Sequence, residues 1–221
     1  AMPVFFIQHF KEVVKISKLI CYRCSKILIN KQKYSYLMDM KPEERWNFVN
    51  SKYYGRCGED TDDGCGCKQP TKMKSDGFAS LYAVWENLKI ENNDESQIPP
   101  QTITQKLTPE KVYKMFKRIS DEDVQFMGLS PIWSRPEWMI CKVLPVPPPA
   151  VRPSVKHDAQ QRSEDDISHI LVSIIKTNKT LQEKINQNAN SSLIDDWTTL
   201  LQYYIATMVD NKMPGVASCA Q

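Results

Sequence analysis

Five of the seven cysteines fall at positions 21, 24, 57, 65 and 67, and they constrain this chain more tightly than any hydrophobic pattern does. Cys21 and Cys24, two residues apart, present two thiolates with the bite of half a tetrahedral metal site. Cys57, Cys65 and Cys67 are the candidates for the other half, so one of the three is surplus. Residues 55–66, which carry Cys57 and Cys65, are rich in glycine and acid, too polar to form a core, and make a loop unless something crosslinks them. Structural zinc is such a crosslink, worth about 10–16 kcal/mol of apparent binding free energy in a small metallo-unit at neutral pH. Four thiolates leave no open coordination position, so a site of this kind orders the chain and performs no catalysis. The competing reading is a set of buried free thiols. An odd cysteine count with ligand-like spacing fits a reducing compartment better than a disulfide scaffold.

A chain of 221 residues holds one large or two small domains. A net charge of +3 with 25% charged residues describes a mixed surface, without the strong basic field of a stand-alone nucleic-acid binder. Residues 1–20 lack the pattern of a signal peptide, and no stretch approaches the roughly 20 apolar residues of a membrane helix.

Residues 5–20 read as a helix with one buried face, and 25–29 as the short apolar run after a zinc knuckle. Two further helices are expected at 31–40 and 42–53, the second with Pro42 at its first position, Glu43 and Glu44 on the dipole, and Trp46, Phe48 and Val49 to bury. Residues 70–88 read as a β-hairpin turned at Ser75-Asp76-Gly77 and packed through Phe78, Leu81, Val84 and Trp85; a helix is the alternative. A polar loop at 90–100 leads to a strand at 102–106. Thr108 and Pro109 then open a helix that buries Val112, Met115, Phe116 and Ile119, and Ser120 caps a short successor ending at Gly128.

Residues 138–144 read as an apolar strand running into Pro145, Pro147, Pro148 and Pro149, where the chain must leave any sheet as a stiff polyproline strut. Ile167, Leu171, Ile174, Asn178, Leu181 and Ile185 then step with the heptad period, and Ile194, Trp197, Leu201, Tyr204 and Met208 repeat it. Residues 186–192 are too polar to continue either helix. The two arms therefore fold back as an antiparallel coiled-coil hairpin, each arm roughly 25–30 Å long, with Ser163 and Ser192 as caps and Pro214-Gly215 as the stop.

The wording of particular segments narrows the reading. Ser134-Arg-Pro-Glu-Trp-Met-Ile140, Leu144-Pro-Val-Pro-Pro-Pro149, Val151-Arg-Pro-Ser154, Gln161-Arg162 with Glu164-Asp-Asp166, and Leu200-Leu-Gln202 with Ala206-Thr207 and Asp210-Asn211 carry a family resemblance. The chain resembles the clamp region of the largest subunit of multisubunit DNA-directed RNA polymerase in its polymerase II-like form, and a large-DNA-virus lineage is one expected source. The resemblance implies an α+β, mainly helical fold: a clamp-core helix at 1–20, a zinc-binding clamp head with a small β element at 21–130, a clamp-core strand and proline strut at 131–162, and a clamp coiled coil with return segment at 163–221. In that family the last zinc ligand lies in a Gly-Cys-Gly word before Gln-Pro-Thr. Gly64-Cys65-Gly66 and Gln69-Pro70-Thr71 match it, so the resemblance implies Cys21, Cys24, Cys57 and Cys65 as ligands and leaves Cys67 outside.

The resemblance further implies a gate that closes over DNA and the DNA–RNA hybrid, with the second-largest subunit as chief partner. The coiled-coil tip, with Lys184, Gln187, Asn188 and Asn190, would receive a NusG-like elongation factor and general initiation factors. The magnesium-binding aspartate loop of the family is not in this sequence, so the chain is expected to be an excised or split clamp that is inactive alone, magnesium belonging to the parent enzyme. Expected locations are the nucleus for a cellular source, and the host nucleus, viral factory or virion for a viral one, with no membrane association. Lys31, Lys33, Lys52, Arg56, Lys68, Lys72 and Lys74 are basic residues around the cysteines that could face phosphates, interleaved with Glu59, Asp60, Asp62 and Asp63; no individual nucleic-acid contact follows from this. His9, His157 and His169 are read as surface or packing histidines, Cys141 and Cys219 as inert thiols, and Asn178 as a register-setting or solvated polar residue. The rival reading is an independent zinc-dependent coiled-coil adaptor with no polymerase parent.

Overall fold

The computed structural model describes residues 2–61, 63–76, 79–88, 101–156, 158 and 162–210 of the chain. His157, Cys219, Phe78, the 90–100 loop and the Pro214-Gly215 stop lie outside the described residues. The fold mixes helix and sheet and divides into two compact units, Gln8–Ile140 and Ala1–Ile7 with Cys141–Gln221.

In the first of these units, α1 (Phe10–Leu19) buries Val13, Ile16, Ser17 and Leu19 on one face, as its periodicity predicts, although it starts later than residue 5 because β1 (Val4–Phe5) is extended. The expected helix at 31–40 is corrected to a turn followed by a 3-10 helix, Ser35–Asp39. Its cause is a competing side chain: Asn30 Oδ1 accepts the N–H groups of Gln32 and Lys33 at 2.9 and 3.0 Å, which turns the chain before a helix can start. α2 (Pro42–Asn50) follows with Pro42 in its first turn; Val49 is buried, Trp46 and Phe48 only partly. Arg45 is buried too, its guanidinium donating to the carbonyls of Leu37 and Met38 at 3.3 and 3.2 Å and so tying α2 to the preceding 3-10 turn.

A three-stranded antiparallel sheet is formed by β2 (Lys72–Asp76), β3 (Ser80–Leu88) and β4 (Gln101–Leu107), with β3 central. The hairpin reading of 70–88 therefore stands over the helical one, but Ser75 and Asp76, expected in the turn, are strand residues paired with Leu81 and Ser80. Leu81, Ala83 and Val84 are buried, Trp85 only partly. α3 (Pro109–Lys117) begins where Thr108 accepts Lys111 N–H, and Val112, Met115, Phe116 and Ile119 are buried. Ser120 caps α4 (Asp121–Phe126) by accepting Asp123 N–H. The turn after α4 needs Gly128, whose φ is +92° and where a Cβ would stand 2.3 Å from the Pro42 carbonyl oxygen.

The expected strand at 138–144 is corrected to a 3-10 turn, Pro136–Met139, and a two-residue β5 (Ile140–Cys141). Pro136 presets the turn, and Arg135 fixes it by bonding Glu137 Oε1 at 2.5 Å, the Ile119 carbonyl at 3.1 Å and the Asp121 carboxylate. Trp138 consequently faces outward, 58% exposed.

In the other unit, Pro148 holds the polyproline geometry at φ −65°, ψ 157°, but the strut bends into a 3-10 turn at Pro149–Val151. Arg152 secures the bend, donating to the Pro147 carbonyl at 3.0 Å and to Ser168 Oγ at 3.2 Å. β6 (Val155–Lys156) pairs antiparallel with β7 (Arg162–Ser163). Ser163 is thus a strand residue, and the cap of α5 (Asp166–Asn186) is corrected to Asp165, which accepts Ile167 N–H. Likewise Asn190, not Ser192, caps α6 (Ser191–Val209). The two helices fold back on each other around Ile174, Leu181, Leu201 and Ile205, with Ile170, Ile185, Ile194, Trp197, Tyr204 and Met208 at the rim. Val4 joins this cluster, and Gln202 holds β1 to α6 by accepting Phe5 N–H and donating to Phe5 C=O, both at 2.7 Å. Asn178 accepts Met2 N–H at 2.8 Å and so ties the segment before β1 to α5.

Candidate metal centre

The end of α1 feeds directly into the first pair of thiols. An antiparallel bridge between Ile20 and Ile27 and bonds from Cys21 N to Lys26 O (2.8 Å) and Ser25 N to Cys21 O (2.9 Å) close a tight turn. Ser25 completes it at φ +64°. This turn aims Cys21 and Cys24 the same way, which is what a two-residue spacer is for.

The second half is a loop folded against itself. Arg56 bridges to Lys68, Cys57 N donates to Cys67 O at 3.0 Å, and Gly66 N donates to Cys57 O at 3.1 Å. Gly58 and Gly64 allow the loop to close: a Cβ on Gly64 would stand 2.3 Å from Gly58 Cα. Tyr22 anchors the first turn to the sheet, packing edge-on against Trp85 at 5.1 Å and bonding Gln105 Oε1 at 2.5 Å, with the Lys111 ammonium on its hydroxyl.

These elements bring the sulfurs of Cys21, Cys24, Cys57 and Cys65 within 4.8 Å of one another, with Cys21–Cys65 at 3.5 Å and Cys24–Cys57 at 3.7 Å. Four thiolates around one zinc at a Zn–S distance of about 2.3 Å stand about 3.8 Å apart, so the donor set and its spacing fit a tetrahedral zinc. Burial pushes the Cys21 thiol up, yet the backbone N–H groups at Cys24 and Arg23 and the neighbouring thiols outweigh it and lower its pKa to about 7. Cys57 and Cys24 are pushed up, chiefly by burial and then by the neighbouring thiolates. A cluster with one ready thiolate and reluctant neighbours is one that a dication stabilises, because the metal supplies the positive charge the buried sulfurs lack.

Cys67 lies outside this set, its thiol bonded to Lys68 O at 3.6 Å and raised by burial and by the charges of Cys21 and Cys65. Gln69, named from the sequence only as part of a family word, has a role at the site that the sequence did not show. It is 3% exposed, accepts Tyr22 N–H at 2.9 Å, and donates from Nε2 to Cys21 Sγ at 3.3 Å and Cys67 O at 2.8 Å.

The remaining expected residues are placed as follows. Lys184 lies in the last turn of α5, Gln187 caps it, and Asn188 at φ +51° makes the left-handed exit. Ala189 N donates to Lys184 O and Asn188 N to Ile185 O, both at 3.0 Å. Asn190 spends its side-chain oxygen on Ser192 N–H. Among the basic residues, Lys31 pairs with Asp123 at 2.7 Å, Lys33 with Asp60 at 3.2 Å and Lys72 with Glu86 at 3.0 Å, so these three are locally neutralised. His9 and His169 are exposed, and the Cys141 thiol, raised by burial, donates to Val143 O at 3.6 Å. No helix among the described residues is long and apolar enough to cross a membrane.

The family described as RNA polymerase Rpb1, domain 1, matches residues 1–221. DNA-directed RNA polymerase subunit Rpo1N of Methanocaldococcus jannaschii is 34% identical over 222 aligned residues, which are 98% of this chain and 15% of that protein. The chain thus spans about 15% of the length of this curated relative.

Proposed function

The chain belongs to the RNA polymerase Rpb1, domain 1, family, and from that premise we propose that it is the clamp portion of a DNA-directed RNA polymerase largest subunit. It closes over DNA and the DNA–RNA hybrid within the assembled enzyme. The observation that carries this reading is identity to a polymerase largest subunit along the whole chain, joined to a four-thiolate cluster fit for structural zinc. Zinc held by Cys21, Cys24, Cys57 and Cys65 ties the end of α1 to the 55–68 loop, making a clamp head of 21–130 that keeps its shape as it moves. Zinc supplies charge and crosslinking only. Nucleotidyl transfer belongs to the parent enzyme and its magnesium, and the other polymerase subunits, chiefly the second-largest, are its constant partners.

In this reading α5 and α6 form the clamp coiled coil, and the turn at 187–190 with the adjoining Lys184 receives a NusG-like elongation factor and initiation factors. The seam is consumed by packing, so a partner would read the tip and the outer faces near it. Affinity for the cognate elongation factor, measured for Lys184→Ala and Gln187→Ala with circular dichroism alongside, tests it. Both should bind more weakly at unchanged helix content. Variants that bind like the parent sink the docking role, and a parent chain that fails to assemble with the second-largest subunit sinks the clamp reading.

A further inference from the structure

We propose that Cys67 is an exchangeable fourth ligand of the zinc centre, taking the place of Cys65 when the loop tip moves; this rests on the reading of the cluster as a zinc site. Three corners are fixed. Cys21 and Cys57 are buried, and Cys24 is held by the turn that Ser25 closes. Cys65 differs: it is exposed and lies between Gly64 and Gly66, and Gly66 adopts φ +69° with open space where a Cβ would be.

Cys67 has its backbone already docked at the site. Its carbonyl accepts Cys57 N–H at 3.0 Å and Gln69 Nε2–H at 2.8 Å, and its side chain packs on the small cluster of Cys21, Leu28 and Cys57. The thiol is held by a weak bond to Lys68 O at 3.6 Å and already lies beside Cys21. A change between staggered χ1 wells, with no loss of the backbone bonds, swings the sulfur relative to the cluster. In the exchange Cys67 gives its proton to solvent as its sulfur bonds zinc, and Cys65 takes one as its Zn–S bond breaks. Zinc keeps four thiolates, charge is conserved and no electrons are transferred. The consequence is a metal site that survives loss or modification of its exposed member.

The test uses the full 221-residue chain loaded with Co²⁺ as a spectroscopic stand-in and with Zn²⁺. Cys65→Ser should keep the thiolate-to-cobalt charge-transfer intensity of the parent, whereas Cys65→Ser/Cys67→Ser should lose the intensity of one thiolate and about ten-fold or more in affinity. A Cys65→Ser spectrum equal to that of the double variant overturns the proposal. A parent chain that binds neither metal overturns the zinc reading itself, a different result. Independently of how Cys65→Ser folds, Cys67→Ala should release zinc to a chelator about three-fold faster than the parent, since a recapturing ligand acts on the off-rate; an unchanged rate overturns the proposal.

Discussion

Gln69 joins the two halves of the cysteine cluster, bonding the backbone of the first turn, a sulfur and the carbonyl of Cys67 with one amide. Partners that orient metal ligands are typically worth 10–100-fold in affinity, so Gln69→Leu should weaken zinc binding by about that factor in a chelator competition, while an unchanged constant would reduce Gln69 to packing. A second expectation concerns pH. The folded pKa values of Cys57, Cys24 and Cys67 lie above the ordinary thiol value of 9.0 and that of Tyr54 is raised to about 12. A raised folded pKa gives stability that is present below the unfolded pKa and lost as pH rises through the folded one. Cys21, lowered to about 7, acts oppositely, gaining stability between pH 7 and 9 and adding nothing further above 9. The metal-free chain should therefore lose stability above about pH 9, read as a lower urea midpoint at pH 10 than at pH 9; an unchanged midpoint would contradict those buried thiols. At this scale the spacing of five cysteines marked a metal-ligand pattern, and the family resemblance, not the spacing, singled out Cys57 and Cys65 over Cys67. Gln69 was not legible, since its role arises only when residues 22 and 69 meet in space.

Among the elements, starts and stops written in local chemistry could be read directly: Thr108-Pro109, Ser120 and Gly128 all act as their residue types dictate. Gly128→Ala should cost about 2 kcal/mol or more, from its left-handed φ and the Cβ clash with Pro42, and chemical denaturation measures it. Misreadings fell where a competing contact, by a side chain or by a pairing strand, outweighs the local pattern. Asn30 turns the chain at 31–34, Arg135 curls 136–139, and pairing with Val155 draws Ser163 into a strand. The same logic alters what a tip substitution does. Asn190→Ala removes a cap and should cost about 1 kcal/mol, unlike a purely exposed change, whereas Leu201→Ala, emptying a fully buried position, should cost about 2–5 kcal/mol. Equal midpoints for the two variants would contradict the packing of α5 on α6.

For the molecule as a whole, the first seven residues return to the unit formed by residues 141–221, and Gln8–Ile140 is inserted between them. That discontinuity is invisible to periodicity, because it depends on Gln202 reaching across the sequence to Phe5. The inserted unit carries the four clustered cysteines and Cys67, and its polar 55–68 loop has little apolar surface of its own to hold it. The proposed zinc would supply its order, and elemental analysis of the full chain purified without chelators measures it. One zinc per chain is expected, falling toward none in Cys57→Ser together with a lower urea midpoint. A parent chain free of metal, yet folded and as stable as when zinc is added, would contradict the proposed zinc-ordered clamp head.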